Sequence, residues 1–179
     1  MSRPQTRHYR KYQTMPTDYT LRPHLRLPGY DYTLAGAYFV TTVTHHRECL
    51  FGEICGETMI LSPAGKIVHQ VWLDLPKHYA SIEIGSLIVM PNHTHGIIWM
   101  KESQSARPAL SEVMRALKSF SARRINMIRK TPGAAVWQRE FHDRIIRNDH
   151  ELERIDAYIR ENPRLWNEDQ ENPFNLNPK

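Results

Sequence analysis

The sequence predicts an α+β domain of the ferredoxin-like kind. One antiparallel sheet is built from a β-α-β-β-α-β run with helices on one face, and an extra C-terminal helix carries a tyrosine. Three observations predict it. The apolar period switches between two and 3.6 in that order along the chain. Proline and glycine punctuate the switches. The length, 179 residues, suits one domain plus tails.

Residues 1–29 carry Arg3, Arg7, Arg10, Lys11, Arg22 and Arg26 against one acid, Asp18, with four scattered prolines. They read as a basic extended arm, with the domain spanning 30–166. Tyr30 to Thr44 alternates and is rich in β-branched and aromatic residues, which gives the first strand. Residues 45–58 read as a loop, with a short strand near Met59 to Leu61. Ser62 is a candidate N-cap with Pro63 at the first helical position. Ile67, Val68, Val71, Trp72 and Leu75 follow at helical spacing, and Pro76 is expected to close the helix.

Ser81 to Met90 is the second strand, Pro91-Asn92 a break, and His93 to Met100 the third strand. After a polar loop, Ala109 to Lys130 forms an amphipathic helix, capped by Ser111. Leu110, Val113, Met114, Leu117, Phe120 and Met127 or Ile128 form its buried stripe. Val136 to Ile146 is the fourth strand. Asn148 or Asp149 begins a final helix, His150 to Glu161, stopped by Pro163. Residues 167–179 are polar and Pro/Asn-rich and read as a frayed tail.

The formal net charge is +5 and the pI about 9.3, which favours an anionic partner, nucleic acid before membrane. Arg115, Lys118, Arg123, Arg124, Arg129 and Lys130 place six positive charges on the long helix with no acid after Glu112. A solvated helix face mixes signs, so this face is the candidate phosphate contact. Cys49 and Cys55 are too few for a disulfide framework and form no Cys-x-x-Cys. They read as reduced, packed residues in a cytoplasmic protein. No run reaches the ~18 apolar residues of a membrane span, and the basic N-terminus lacks the apolar segment of a signal peptide.

The chemistry centres on Pro91-Asn92-His93-Thr94-His95-Gly96. Strand residues two apart share a face, so His93 and His95 project side by side as a two-nitrogen metal bite. The pattern is short, and two ordinary polar positions on a half-buried strand account for it more often. The last helix places Tyr158 and Asn162 one turn apart, about 40° from each other at ~100° per residue, on the edge of the Leu152-Ile155-Ile159 stripe. Imidazole plus amide oxygen suits a divalent cation such as Mg²⁺ or Mn²⁺ in a site with open positions, acting as a Lewis acid on a phosphoryl oxygen. A phenol, with a pKa of roughly 10, needs such help to attack phosphorus.

Three segments bring a resemblance. Pro91 to Gly96, Trp137 to Arg147, and Tyr158-Ile159-Arg160-Glu161-Asn162-Pro163 together resemble the single-tyrosine HUH transposases (IS200-like), most closely the REP-associated tyrosine transposases. The resemblance covers roughly Tyr30 to Trp166. It implies the same ferredoxin-like fold, a divalent metal held by His93, His95 and Asn162, and Tyr158 as nucleophile. It further implies attack on single-stranded hairpin DNA of REP-like palindromes, leaving a 5′-phosphotyrosine and a free 3′-hydroxyl. Monomer and homodimer both fit. The residue between the histidines is usually bulky and apolar in that family. Here it is Thr94, which faces the other side of the strand, so weaker packing is expected there and not a lost metal site.

Two other readings stand beside this one. A non-catalytic nucleic-acid-binding module would stack bases on Tyr38 and Trp99, and would not need Tyr158 and Asn162. A small metal-dependent hydrolase ranks last, because the sequence shows no carboxylate near the histidines.

Overall fold

A computed structural model describes residues 31–102 and 108–175. The basic arm 1–29, part of the polar loop before the long helix, and the last residues of the tail lie outside the described residues. The elements run β1 (Gly36–Val43), β2 (Gly52–Cys55), β3 (Thr58–Leu61), α1 (Pro63–His78), β4 (Ile82–Val89), β5 (His93–Met100), α2 (Leu110–Arg129), β6 (His142–Ile146) and α3 (Asp149–Glu161). β4, β5, β1 and β6 form a four-stranded antiparallel sheet in that spatial order, as the ferredoxin-like pattern requires. β2 and β3 form a separate hairpin inserted between β1 and α1.

Alternation along β5 and β1 creates the two faces. Tyr38, Val40, Ile98 and Met100 point to one face and bury against Val71, Trp72 and Leu75 of α1 and Leu110, Val113, Met114 and Leu117 of α2. Ala37 and Ile97 point to the other, where Ile155 and Ile159 of α3 cover them together with Ile146. Two helices on one face and the third on the opposite face make the domain three layers. Gly96 fixes this arrangement. A Cβ there would lie 2.5 Å from the Trp72 ring, so only glycine lets α1 approach β5 this closely.

Local signals explain the starts of two helices. The Ser62 side chain accepts from Gly65 N–H at 3.1 Å and caps α1 behind Pro63. Asn148 accepts from Glu151 N–H at 2.8 Å and caps α3.

Several expectations need correction. Residues 52–55 pair with 58–61 across Gly56-Glu57, where Gly56 takes a positive φ of 64°, so the expected loop holds a hairpin. Pro76 does not end α1. Its missing N–H removes one bond in the last turn, and the helix continues to His78, with Tyr79 N–H bonding the Leu75 carbonyl. Ser111 does not cap α2, which starts at Leu110, whose N–H bonds the Tyr32 carbonyl. The buried stripe of α2 continues through Ser121 and Ile125, while Met127 and Ile128 face solvent. β6 is shorter than expected. Trp137 makes only an isolated bridge to Thr44, and the carbonyls of Gln138, Arg139 and Glu140 turn to the Lys118 ammonium. Cys49 and Cys55 are free thiols on the surface and not packed residues. Residues 167–175, expected to fray, form ordered turns held to the domain through Glu171, which bonds Arg47 and Asn92.

Candidate active site

His93 and His95 lie on the sheet face that α3 covers. β5 pairs with β1 so that His93 stands opposite Val43 and His95 opposite Thr41. Both histidines are buried, and their ring centroids are 4.6 Å apart.

Hydrogen bonding fixes the orientation of His93. Nδ2 of Asn92 donates to the carbonyls of Arg47 (3.2 Å) and Glu171 (2.7 Å). The amide oxygen of Asn92 must then face Nδ1 of His93, 2.9 Å away. An amide oxygen only accepts, so Nδ1 carries the proton and Nε2 presents a lone pair. That Nε2 is buried and has no hydrogen-bond partner. His95 is held through Nδ1, 2.7 Å from the Thr41 hydroxyl, and its ring stacks on Phe39 at 5.3 Å. Burial pushes the pKa of His95 well below its usual 6.5, and the neighbouring His93 adds to the effect. Burial also lowers His93, against the opposing pull of Asp169, Glu171 and the nearby Asn162 side chain. Both rings are therefore neutral near pH 7, the protonation state a metal ligand needs.

α3 brings the tyrosine. Its Ile155-Ile159 stripe docks on Ala37, Ile97 and Ile146, and Tyr158 and Asn162 fall on the stripe's edge one turn apart. Tyr158 is 41% exposed, and its hydroxyl lies 3.2 Å from Nε2 of His95. Burial of the hydroxyl and the negative charge of Asp169 and Glu171 raise its pKa above the usual 10, so the phenol is protonated at neutral pH. Asn162 is buried, and its side-chain oxygen has no hydrogen-bond partner.

The tail supplies a residue the sequence reading missed. After α3 the chain makes a short 3₁₀ turn, Trp166–Glu168, and Trp166 buries against His93 with ring centroids 6.0 Å apart. Asp169 then lies with a carboxylate oxygen 3.8 Å from Nε2 of His93. Ligand atoms of His93, His95 and Asp169 fall within 4.8 Å of one another, the one such group among the described residues. A carboxylate does stand near the histidines, contrary to expectation. The signal available in sequence was Leu165-Trp166, an apolar pair just ahead of a polar stretch. His95, Tyr158, Asn162 and Asp169 line a cleft of about 570 Å³ together with Thr41, and His93 lies behind it.

The orphaned donors test whether a metal fits. A bare imidazole nitrogen and a bare amide oxygen, both buried, are costly unless something occupies them. With a carboxylate beside them they suit a divalent cation bound by nitrogen and oxygen.

The structure does not bring the six basic residues of α2 to this cleft. α2 packs on the opposite sheet face. Lys118 is engaged with three backbone carbonyls, Arg129 pairs with Glu48 at 3.0 Å, and Arg124 lies 3.9 Å from Asp74. Arg123 and Lys130 border a surface groove with Asn126 and Pro132, and Arg115 borders another beside Lys118. Tyr38, the base-stacking candidate of the binding-module reading, is fully buried between sheet and helices.

No helix among the described residues is long and apolar enough to cross a membrane. The sequence is 33% identical over 165 residues to an uncharacterized protein of Haemophilus influenzae, covering 83% of this chain and 92% of that relative. The fold is similar to the solved structure of a REP-associated tyrosine transposase bound to a REP hairpin. The TM-score is 0.56 at 20% identity, over 77% of this chain and 72% of that one. The family model described as "Transposase IS200 like" matches residues 37–162, from the first sheet residues to the amide one turn beyond Tyr158. The chain therefore belongs to the IS200-like transposase family and is an enzyme of the transposase kind.

Proposed function

We propose that this transposase is a metal-dependent single-stranded DNA endonuclease and strand transferase that uses Tyr158 as nucleophile on hairpin-forming, palindromic repeat DNA. The observation that carries the reading is the 3.2 Å approach of the Tyr158 hydroxyl to His95 Nε2, beside two buried candidate metal-binding atoms, His93 Nε2 and Asn162 Oδ1, that have no hydrogen-bond partner.

In this reading His93 and His95 hold the metal, and Asn162 contributes its oxygen. A divalent cation, Mg²⁺ or Mn²⁺, would supply Lewis-acid stabilisation of the charge that builds on the scissile phosphate. The protein does the rest by position. α3 fixes the phenol at the edge of the cleft, exposed enough to meet a phosphodiester and held against a buried imidazole. The tyrosine oxygen bonds to phosphorus as the bond from phosphorus to the 3′ oxygen breaks. The phenol gives up its proton and the departing 3′ oxygen takes up one, so the leaving strand ends in a 3′-hydroxyl and no net proton is consumed. The 5′-phosphotyrosine keeps the phosphodiester's energy, so that hydroxyl or another can attack it and rejoin strands.

The hairpin substrate rests on the resemblance in the sequence and on the solved neighbour, which is bound to a REP hairpin. The basic composition suits such a partner. Incubation of the full chain with Mn²⁺ and single-stranded hairpin oligonucleotides taken from its own locus tests the reading. Cleavage that needs the metal and is lost in His93→Ala is expected. Metal-independent cleavage, or none on any hairpin, contradicts it.

A further inference from the structure

We propose that Asp169, on the segment that follows α3, is the anionic ligand of the metal centre, so that metal binding and docking of this segment are one coupled event. The inference rests on the metal-dependent reading above and goes beyond it by adding a ligand from outside the family match, which ends at residue 162.

The argument begins with His93. Its Nδ1 is committed to the Asn92 oxygen, so Nε2 is the ring nitrogen left to bind a metal. A carboxylate oxygen of Asp169 lies 3.8 Å from that nitrogen. Ligand atoms of His93, His95 and Asp169 all lie within 4.8 Å of one another, so one cation can reach both His93 Nε2 and the Asp169 carboxylate. The Asp169 side chain is only 7% exposed, so water screens the interaction of its carboxylate with a cation poorly. A divalent cation satisfies both atoms at once, and a carboxylate adds the charge that two neutral imidazoles and an amide lack.

The segment is built to present this residue. Glu171 pairs with Arg47 at 2.8 Å, and its carbonyl accepts from Asn92 at 2.7 Å. Asn172 is buried and donates to the Trp166 carbonyl at 2.9 Å, while Glu171 N–H bonds the Asp169 side chain at 2.7 Å. Asn92 therefore touches both halves of the centre, orienting His93 with its oxygen and holding the Asp169 segment with its nitrogen.

The test uses the full chain and Mn²⁺ alone, with no DNA. Affinity is measured by titration calorimetry, and backbone hydrogen exchange is followed over residues 166–175 with and without the metal. Wild type should bind Mn²⁺ and gain protection in that segment. Asp169→Asn, nearly isosteric, should bind roughly tenfold or more weakly, since loss of even an outer partner of a ligand costs about that much. The gain in protection should vanish with it. A smaller loss of affinity in Asp169→Asn, or a protection gain that survives, overturns the proposal. If Asn162→Ala alone then weakens binding, the metal centre stands without the tail. Absence of Mn²⁺ binding to wild type overturns this proposal and the metal-dependent reading together.

Discussion

The phenolic oxygen of Tyr158 lies 3.2 Å from Nε2 of His95, although 63 residues separate them in sequence. The contact exists because two independent patterns meet. The β5 alternation turns His95 to the face opposite Trp72, and the α3 stripe lays its Tyr158 edge along that same face. One chain thus brings a tyrosine to its own paired histidines.

Asn92 should matter for both stability and metal binding. It is fully buried and satisfies His93, the Arg47 carbonyl and the Glu171 carbonyl. Asn92→Ala should cost about 1–3 kcal/mol by stranding buried partners. It should also weaken Mn²⁺ by roughly 10–100-fold, as loss of an orienting partner does. Chemical denaturation and metal titration check the two parts. Unchanged metal affinity in a folded variant would remove Asn92 from the orientation of His93.

Gly96→Ala should destabilise by about 1–3 kcal/mol through overpacking against the Trp72 ring. Combining it with Trp72→Leu should recover part of that loss, because the smaller side chain leaves room for the new methyl group. A double-mutant cycle with no coupling would show that the clash is not the cause.

Thr94 shares a buried hydroxyl pair with Thr42 at 2.8 Å on the face away from the histidines. Thr94→Val alone leaves Thr42 without that partner and should cost about 1–3 kcal/mol. The Thr42→Val, Thr94→Val pair should be closer to neutral, since both polar groups leave together. Strictly additive losses would contradict this account of why a threonine fits between the histidines.

The α2 charges should separate by role. Arg123→Ala and Lys130→Ala, beside the surface groove, should each reduce the salt dependence of DNA binding by about one unit of slope. Lys118→Met should chiefly lower stability, because its ammonium gathers the carbonyls of residues 138–140. Salt slopes unchanged in both surface variants would take α2 off the DNA surface.

The order of elements, the paired histidines and the helix with Tyr158 and Asn162 were legible because each shows in a local period. The face taken by the histidines was not. It depends on Trp72 of α1 filling the space that Gly96 leaves, a contact between distant segments. The Asp169 segment was illegible for the same reason. Its composition reads as a polar tail, and it is ordered by Arg47 and Asn92, 124 and 79 residues away from Glu171. The basic run on α2 showed its sign in sequence. It could not show that Lys118 and Arg129 already have partners within the domain.

The most direct measurement is covalent capture. The full chain is incubated with Mn²⁺ and a single-stranded hairpin from its own locus, and the linked peptide is located by mass spectrometry. The account predicts a 5′-phosphoryl adduct on Tyr158 that is absent in Tyr158→Phe, while hairpin binding by that variant is nearly unchanged. An adduct that persists in Tyr158→Phe, or one that maps to another residue, would contradict it.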